Sequence, residues 1–243
     1  MRKTSTTSRR SKIKSPKRTS RATRSKSSKR KISSKKIGDA VILHLEPSKR
    51  TTLYRQLVQF FNTSEKKFGP TDASAYHPHC SMTGYFGMAG DDYRISTIDS
   101  VIKKWKRRYK AIPPPLVTGI LMGSTGQSIR LHLQTSPEYM ELLVNIQQAL
   151  TATPSFTGNF RPKKLDHISL AYFYKENARR FSLGYKRNFM NRMLPVAQKI
   201  LGNLFPHQRA GWDIVYYKLE KRATAPLEGE RNILTQLGRW KIA

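Results

Sequence analysis

Two tetrapeptides in this chain pair a histidine with a serine two residues on: His79-Cys80-Ser81-Met82 and His167-Ile168-Ser169-Leu170. The two histidines stand 88 positions apart. Each tetrapeptide lies in a run that predicts a strand, over 79–86 and 167–173, and side chains alternate faces along a strand. His79 and Ser81 therefore share a face, as do His167 and Ser169. Cys80, Met82, Ile168 and Leu170 turn the other way, into a core. Two imidazoles and two hydroxyls on a common floor suit cleavage of a phosphodiester. One histidine takes a proton from water or a ribose hydroxyl while the other protonates the departing oxygen, because imidazole titrates near neutral pH. The hydroxyls hydrogen-bond the non-bridging oxygens as charge builds there. A single His-x-Ser carries little weight. Two with matching flanks outweigh the alternative, a pair of hydrogen-bonded histidines in ordinary strands.

Other residues near the motifs rank by face. Tyr85 falls on the His79 face and Phe173 on the His167 face, where either ring could stack on a nucleobase or pack into the cleft wall. Arg130 lies in a strand from which it could reach a phosphate. His77 precedes His79 by two residues, a spacing able to hold a metal. A third ligand would have to be His44 or His132, and nothing in the sequence brings either near. His44 reads as the edge of a core strand and His132 as a solvated strand face. No metal and no cofactor is expected.

The elements that must position these residues follow from periodicity. Ala40 to Leu45 predicts a first strand, and Leu53, Leu57, Phe60 and Phe61 follow helical spacing. Ile95, Ile98, Ile102, Trp105 and Tyr109 make one helical face, capped by Asp91 or Asp92 and stopped by Pro113-Pro114-Pro115. Lys103, Lys104, Lys106, Arg107 and Arg108 cover the rest of that helix, as a solvated face or an RNA-backbone contact. Leu116 to Met122 and Ser128 to Gln134 predict two strands. Ser136-Pro137-Glu138 opens a helix with the buried stripe Tyr139, Leu142, Leu143, Ile146 and Leu150. Helical material over 176–201, interrupted near Gly184 or Pro195, precedes two closing strands at 212–219 and 233–242. Strands and helices mix without a strict βαβ rhythm, so an α+β fold with mostly antiparallel sheet is expected.

Charge divides the chain in two. Of 46 Lys and Arg, 16 fall in the first 36 residues, which hold no acid and no aromatic. Such a segment buries too little apolar surface to offset the entropy of ordering, so residues 1–36 read as a disordered basic tail and 37–243 as the folded domain. The formal net charge is +31, and the remaining 30 basic against 15 acidic residues keep the body basic by itself. That field attracts polyanions, nucleic acid first. The tail lacks the large apolar residues of an interfacial helix, so no membrane partner is expected. Lys29-Arg30-Lys31 and Lys35-Lys36 read as a nuclear or nucleolar address or a nucleic-acid arm, with a cytoplasmic chain as the alternative. The one cysteine, Cys80, excludes a disulfide within the chain and suits a reducing compartment.

With its doubled His-x-Ser-apolar motif, the chain resembles the two-histidine (2H) phosphoesterase superfamily, which includes the bacterial LigT-type RNA phosphodiesterases. The resemblance covers 37–243; Met82 stands where Leu or Ile is usual. It implies a bilobal α+β fold with antiparallel sheets lining a central cleft and helices flanking it. It also implies His79 and His167 as general base and acid, in either order, and Ser81 and Ser169 as phosphate ligands. The activity it implies is a metal-independent phosphodiesterase on RNA ends, hydrolysing a 2′,3′-cyclic phosphate or a related diester, with RNA or a nucleotide as substrate. A 3′-to-5′ exonuclease trimming small RNA is the second expectation. A non-catalytic RNA-binding module, held by its tail, is the third. A monomer is expected.

Overall fold

The computed structural model describes residues 39–90, 93–202 and 211–242. The tail, 1–36, and the expected caps Asp91 and Asp92 lie outside the described residues. The first strand, β1 (Asp39–Pro47), is buried from Val41 onward because it runs through the middle of a sheet. On one side it pairs antiparallel with β7 (Trp212–Lys221), which pairs with β8 (Ile233–Lys241). On the other it pairs with two short strands, β2 (Cys80–Ser81) and β3 (Phe86–Met88). A second, three-stranded antiparallel sheet has the order β4 (Leu116–Met122), β5 (Ser128–Gln134), β6 (His167–Tyr172). Helices α1 (Thr52–Phe68), α2 (Ile95–Arg108), α3 (Glu138–Thr151), α4 (Lys175–Arg180) and α5 (Leu183–Leu201) complete an α+β fold built on antiparallel sheets.

One apolar core runs through both sheets. Val41, Leu43 and Leu45 of β1 meet Ile129, Leu131 and Leu133 of β5 and Ile168 and Leu170 of β6 in the same buried cluster. Helix α2 adds Ile98, Ile102 and Trp105, and α3 adds Tyr139, Leu142, Leu143, Ile146 and Leu150. Each large side chain so buried stabilises the fold by about 1.5–3 kcal/mol. The basic face of α2 is largely spoken for. Lys103 pairs with Asp99 at 2.7 Å, Arg108 with Glu141 at 2.9 Å, and Lys106 donates to the Lys241 carbonyl at 3.0 Å. Among the described residues no helix is long and apolar enough to cross a membrane.

Two local expectations give way to the structure, and a third is narrowed by it. The strand expected over 79–86 is two pieces. The N–H groups of Met82 and Thr83 both reach the Leu43 carbonyl, at 2.9 and 3.4 Å, and the Gly84 N–H turns to the Arg161 carbonyl at 2.9 Å. The chain thus leaves the ladder after Ser81 and rejoins it at Phe86. The helical stretch after 175 breaks at Phe181-Ser182, close to the expected Gly184, and not at Pro195. Ser182 caps α5 by accepting from the Tyr185 N–H at 3.1 Å, while Pro195 rides inside the helix at the loss of one hydrogen bond. In β6, Ile129 faces Ala171 and Arg130 faces Ser169, which leaves Leu170 as an extra residue. That bulge reverses the alternation beyond it. Leu170 and Ala171 are both buried, and Tyr172 takes the His167 face. Phe173 instead packs on Phe181 and Phe189, each with centroids 5.2 Å away.

Candidate active site

A cleft of about 750 Å³ opens between the two sheets. On one side it is lined by Ile42 of β1, Ser81 of β2 and the preceding His79, on the face away from the core-facing Leu43 and Leu45. On the opposite side are Ser128 and Arg130 of β5 and His167, Ser169 and Tyr172 of β6. Strands β2 and β6 approach within 8 Å, Cα to Cα, without sharing a ladder. The buried Cys80 lies against the His167 backbone, and burial pushes its thiol up to about 12.

His79, Ser81, His167, Ser169 and Tyr85 all line this one cleft. Phe173 does not, for the reason given by the bulge at Leu170. The Tyr85 ring packs beside Ile42, Val215 and Tyr217 and lies under the Arg222 guanidinium at 5.3 Å. Sequence reasoning missed several lining groups. Tyr76, Tyr172 and Tyr174 are aromatic walls, and Lys163, Lys164 and Asp166 come from the loop before β6. The acid directly preceding His167 was a visible signal. Strand parity hides it, since neighbours in a strand point to opposite faces.

The two motif histidines are held differently. His79 Nδ1 lies 2.9 Å from the His77 carbonyl, which can only accept, so the proton sits on Nδ1. Its Nε2 faces the Ser81 hydroxyl at 3.1 Å, which donates to the free lone pair. Burial first, then the neighbouring imidazoles of His44 and His77, hold His79 well below the usual histidine range. His167 Nδ1 instead donates to the Asp166 carboxylate at 2.6 Å. Burial acts to raise the Asp166 carboxyl, but the hydrogen bond and charge of His167 keep it below its ordinary value.

Behind His79 stands a buried polar cluster. The His44 ring stacks on His79 with centroids 3.7 Å apart and planes 15° from parallel. His77 Nε2 donates to Glu46 Oε1 at 2.5 Å, and Arg239 Nη2 donates to Glu46 Oε2 at 2.9 Å. Burial acts to raise the Glu46 carboxyl, but the neighbouring imidazoles of His44 and His77 hold it well below its ordinary value. His44, unexpected here from sequence, arrives because β1 pairs with β2 in the register His44 to Ser81. His132 lies apart from the cleft, with Nδ1 at 2.7 Å from the Thr118 hydroxyl.

No family model and no curated protein sequence matches this chain. Among solved structures it is similar to Escherichia coli LigT complexed with 3′-AMP, at 12% identity and a TM-score of 0.42, over 84% of this chain and 98% of that one. No residue role follows from a likeness so remote.

Proposed function

We propose that this chain is a phosphodiesterase acting on RNA ends, opening a 2′,3′-cyclic phosphate or a related diester with His79 as base and His167 as acid. The observation that carries the reading is the convergence of both His-x-Ser pairs, from different sheets, on one cleft. The assignment of roles comes from what stands behind each ring. A backbone carbonyl at His79 Nδ1 leaves Nε2 as an acceptor, suited to take a proton from water. A carboxylate at His167 Nδ1 fixes that ring's tautomer and balances its charge when it carries a second proton, suited to protonate the departing ribose oxygen. Ser81 and Ser169 offer hydroxyls to the non-bridging oxygens, and Arg130, Lys163 and Lys164 make the wall electropositive. Both proton transfers are supplied by imidazoles, so the reading requires no metal. Each is worth about 10²–10⁴ in rate.

The test is an RNA ending in a 2′,3′-cyclic phosphate, incubated in excess EDTA with the protein, His79→Ala or His167→Ala, followed by end-group analysis. Ring opening by the parent alone is expected, with each variant down at least about 10²-fold. Equal activity in the variants would overturn the assignment. A second reading, 3′-to-5′ trimming of RNA, draws on a neighbouring cavity of about 420 Å³ that shares Tyr76 and His77 with the cleft and adds Lys49, Tyr54 and Arg231. It has room for a further nucleotide, and progressive shortening of a uridine-tailed RNA would distinguish it.

A further inference from the structure

We propose that His44, His77 and His79 form a binding site for a divalent transition ion of the zinc class, and that an ion bound there takes His79 out of catalysis. One nitrogen from each of the three rings lies within 4.8 Å of the other two. His44 is fully buried in β1, and neither of its ring nitrogens has a hydrogen-bond partner. An imidazole desolvated on both nitrogens is an expensive arrangement that calls for a ligand.

The surroundings have the form that metal-binding histidines use, in which the second ring nitrogen is held by a carboxylate or carbonyl. His77 Nε2 is held by Glu46 Oε1 at 2.5 Å. His79 Nδ1 is held by the His77 carbonyl at 2.9 Å. His44 Nδ1 stands 3.7 Å from the same Glu46 oxygen, too far for a hydrogen bond, so this ring is the one not yet held. Both nitrogens of His44 are without a hydrogen bond, and His79 Nε2 meets only the Ser81 hydroxyl, which an ion would displace. Arg239 anchors Glu46 from the far side, so the carboxylate is fixed before any ion arrives. Three neutral imidazoles suit zinc, copper or nickel and not magnesium or calcium, which demand oxygen. The fourth position opens on the cleft beside Ser81, where water or a phosphate oxygen completes a tetrahedron.

Binding has a structural consequence. Zinc–nitrogen bonds of about 2.0–2.1 Å bring ligand nitrogens to roughly 3.3 Å apart, so the rings must close in. Two nearly parallel rings cannot aim their lone pairs at one point, so the His44–His79 stack must open. The ion then holds the His79 nitrogen that would otherwise accept the proton. The binding claim stands on the grouping of the three imidazoles and the unpartnered, buried His44; the loss of activity rests on the reading of His79 as base.

Full-length protein, stripped with EDTA and desalted, is titrated with Zn²⁺ in competition with a chromophoric chelator. One ion per chain is expected, with magnesium ineffective. Affinity should fall at least about ten-fold in His44→Asn and in His77→Gln, in line with loss of one of three ligands. His44 is buried and its variant is checked for folding by circular dichroism; the partly exposed His77→Gln carries the test if it unfolds. Failure of the parent to bind one equivalent, or parent-like affinity in folded His77→Gln, overturns the site. In the cyclic-phosphate assay, one equivalent of Zn²⁺ should cut the rate at least about ten-fold, with recovery in EDTA. Unchanged or increased rate with zinc bound overturns the inhibitory role. Absence of activity with and without zinc would strike the hydrolase reading and leave the binding result standing.

Discussion

His79 and His167 are the same side chain in opposite settings, and the difference lies in one atom behind each ring. A main-chain carbonyl meets Nδ1 of His79, and a carboxylate meets Nδ1 of His167. On the proposed reading Asp166 is a positioning residue, since its carboxylate meets the His167 ring. Asp166 is 44% exposed, so solvent dilutes its electrostatic contribution, and the expected effect of Asp166→Asn is moderate. Steady-state kinetics on a cyclic-phosphate substrate should show kcat lowered by about 10-fold with KM nearly unchanged, as for removal of a group that orients a functional histidine. A rise in KM at constant kcat would mean instead that Asp166 shapes ground-state binding.

At the scale of elements, the cleft depends on strands that hold one face to a shared core and the other to solvent. β5 does this most plainly, with Ile129, Leu131 and Leu133 buried between Ser128, Arg130 and His132. Leu131 pairs with Ile168 of β6, which sits between His167 and Ser169. Leu131→Ala should therefore cost about 2–5 kcal/mol in chemical unfolding, as for other leucines truncated in a packed core. Because the lost contacts support β6, activity should become more sensitive to denaturant before global unfolding. A loss under about 1 kcal/mol would mean the strand repacks freely and does not hold the His167 motif rigid.

For the whole molecule, charge is the dominant property. The net +31 is shared between the tail and the body, while the cleft itself adds Arg130, Lys163 and Lys164. On the proposed reading, the tail's positives would serve affinity for long RNA, and the cleft's would serve the reacting phosphate. Deleting residues 1–36 should weaken binding to long single-stranded RNA and flatten its salt dependence, whose slope is about −0.7 per phosphate neutralised. Turnover of a short cyclic-phosphate substrate should be unaffected. Equal salt slopes for the full and shortened proteins would show that the tail does not engage RNA.

Much of the cleft was legible from residue order because strand parity is local. His79 with Ser81, and His167 with Ser169, needed only the period of two to share a face, and the stripes of α2 and α3 needed only the helical period. Antiparallel α+β architecture followed from the order of elements. What only tertiary structure decided was everything that depends on a partner strand. The bulge at Leu170 exists relative to β5, and it exchanged Phe173 for Tyr172 in the cleft wall. The bond between Leu43 and Met82 divided a strand that reads as continuous. His44 joined His77 and His79 through the register of β1 on β2, a pairing across 37 positions that no local pattern encodes. Local periodicity sets which way a side chain points; the register of distant strands sets what it points at.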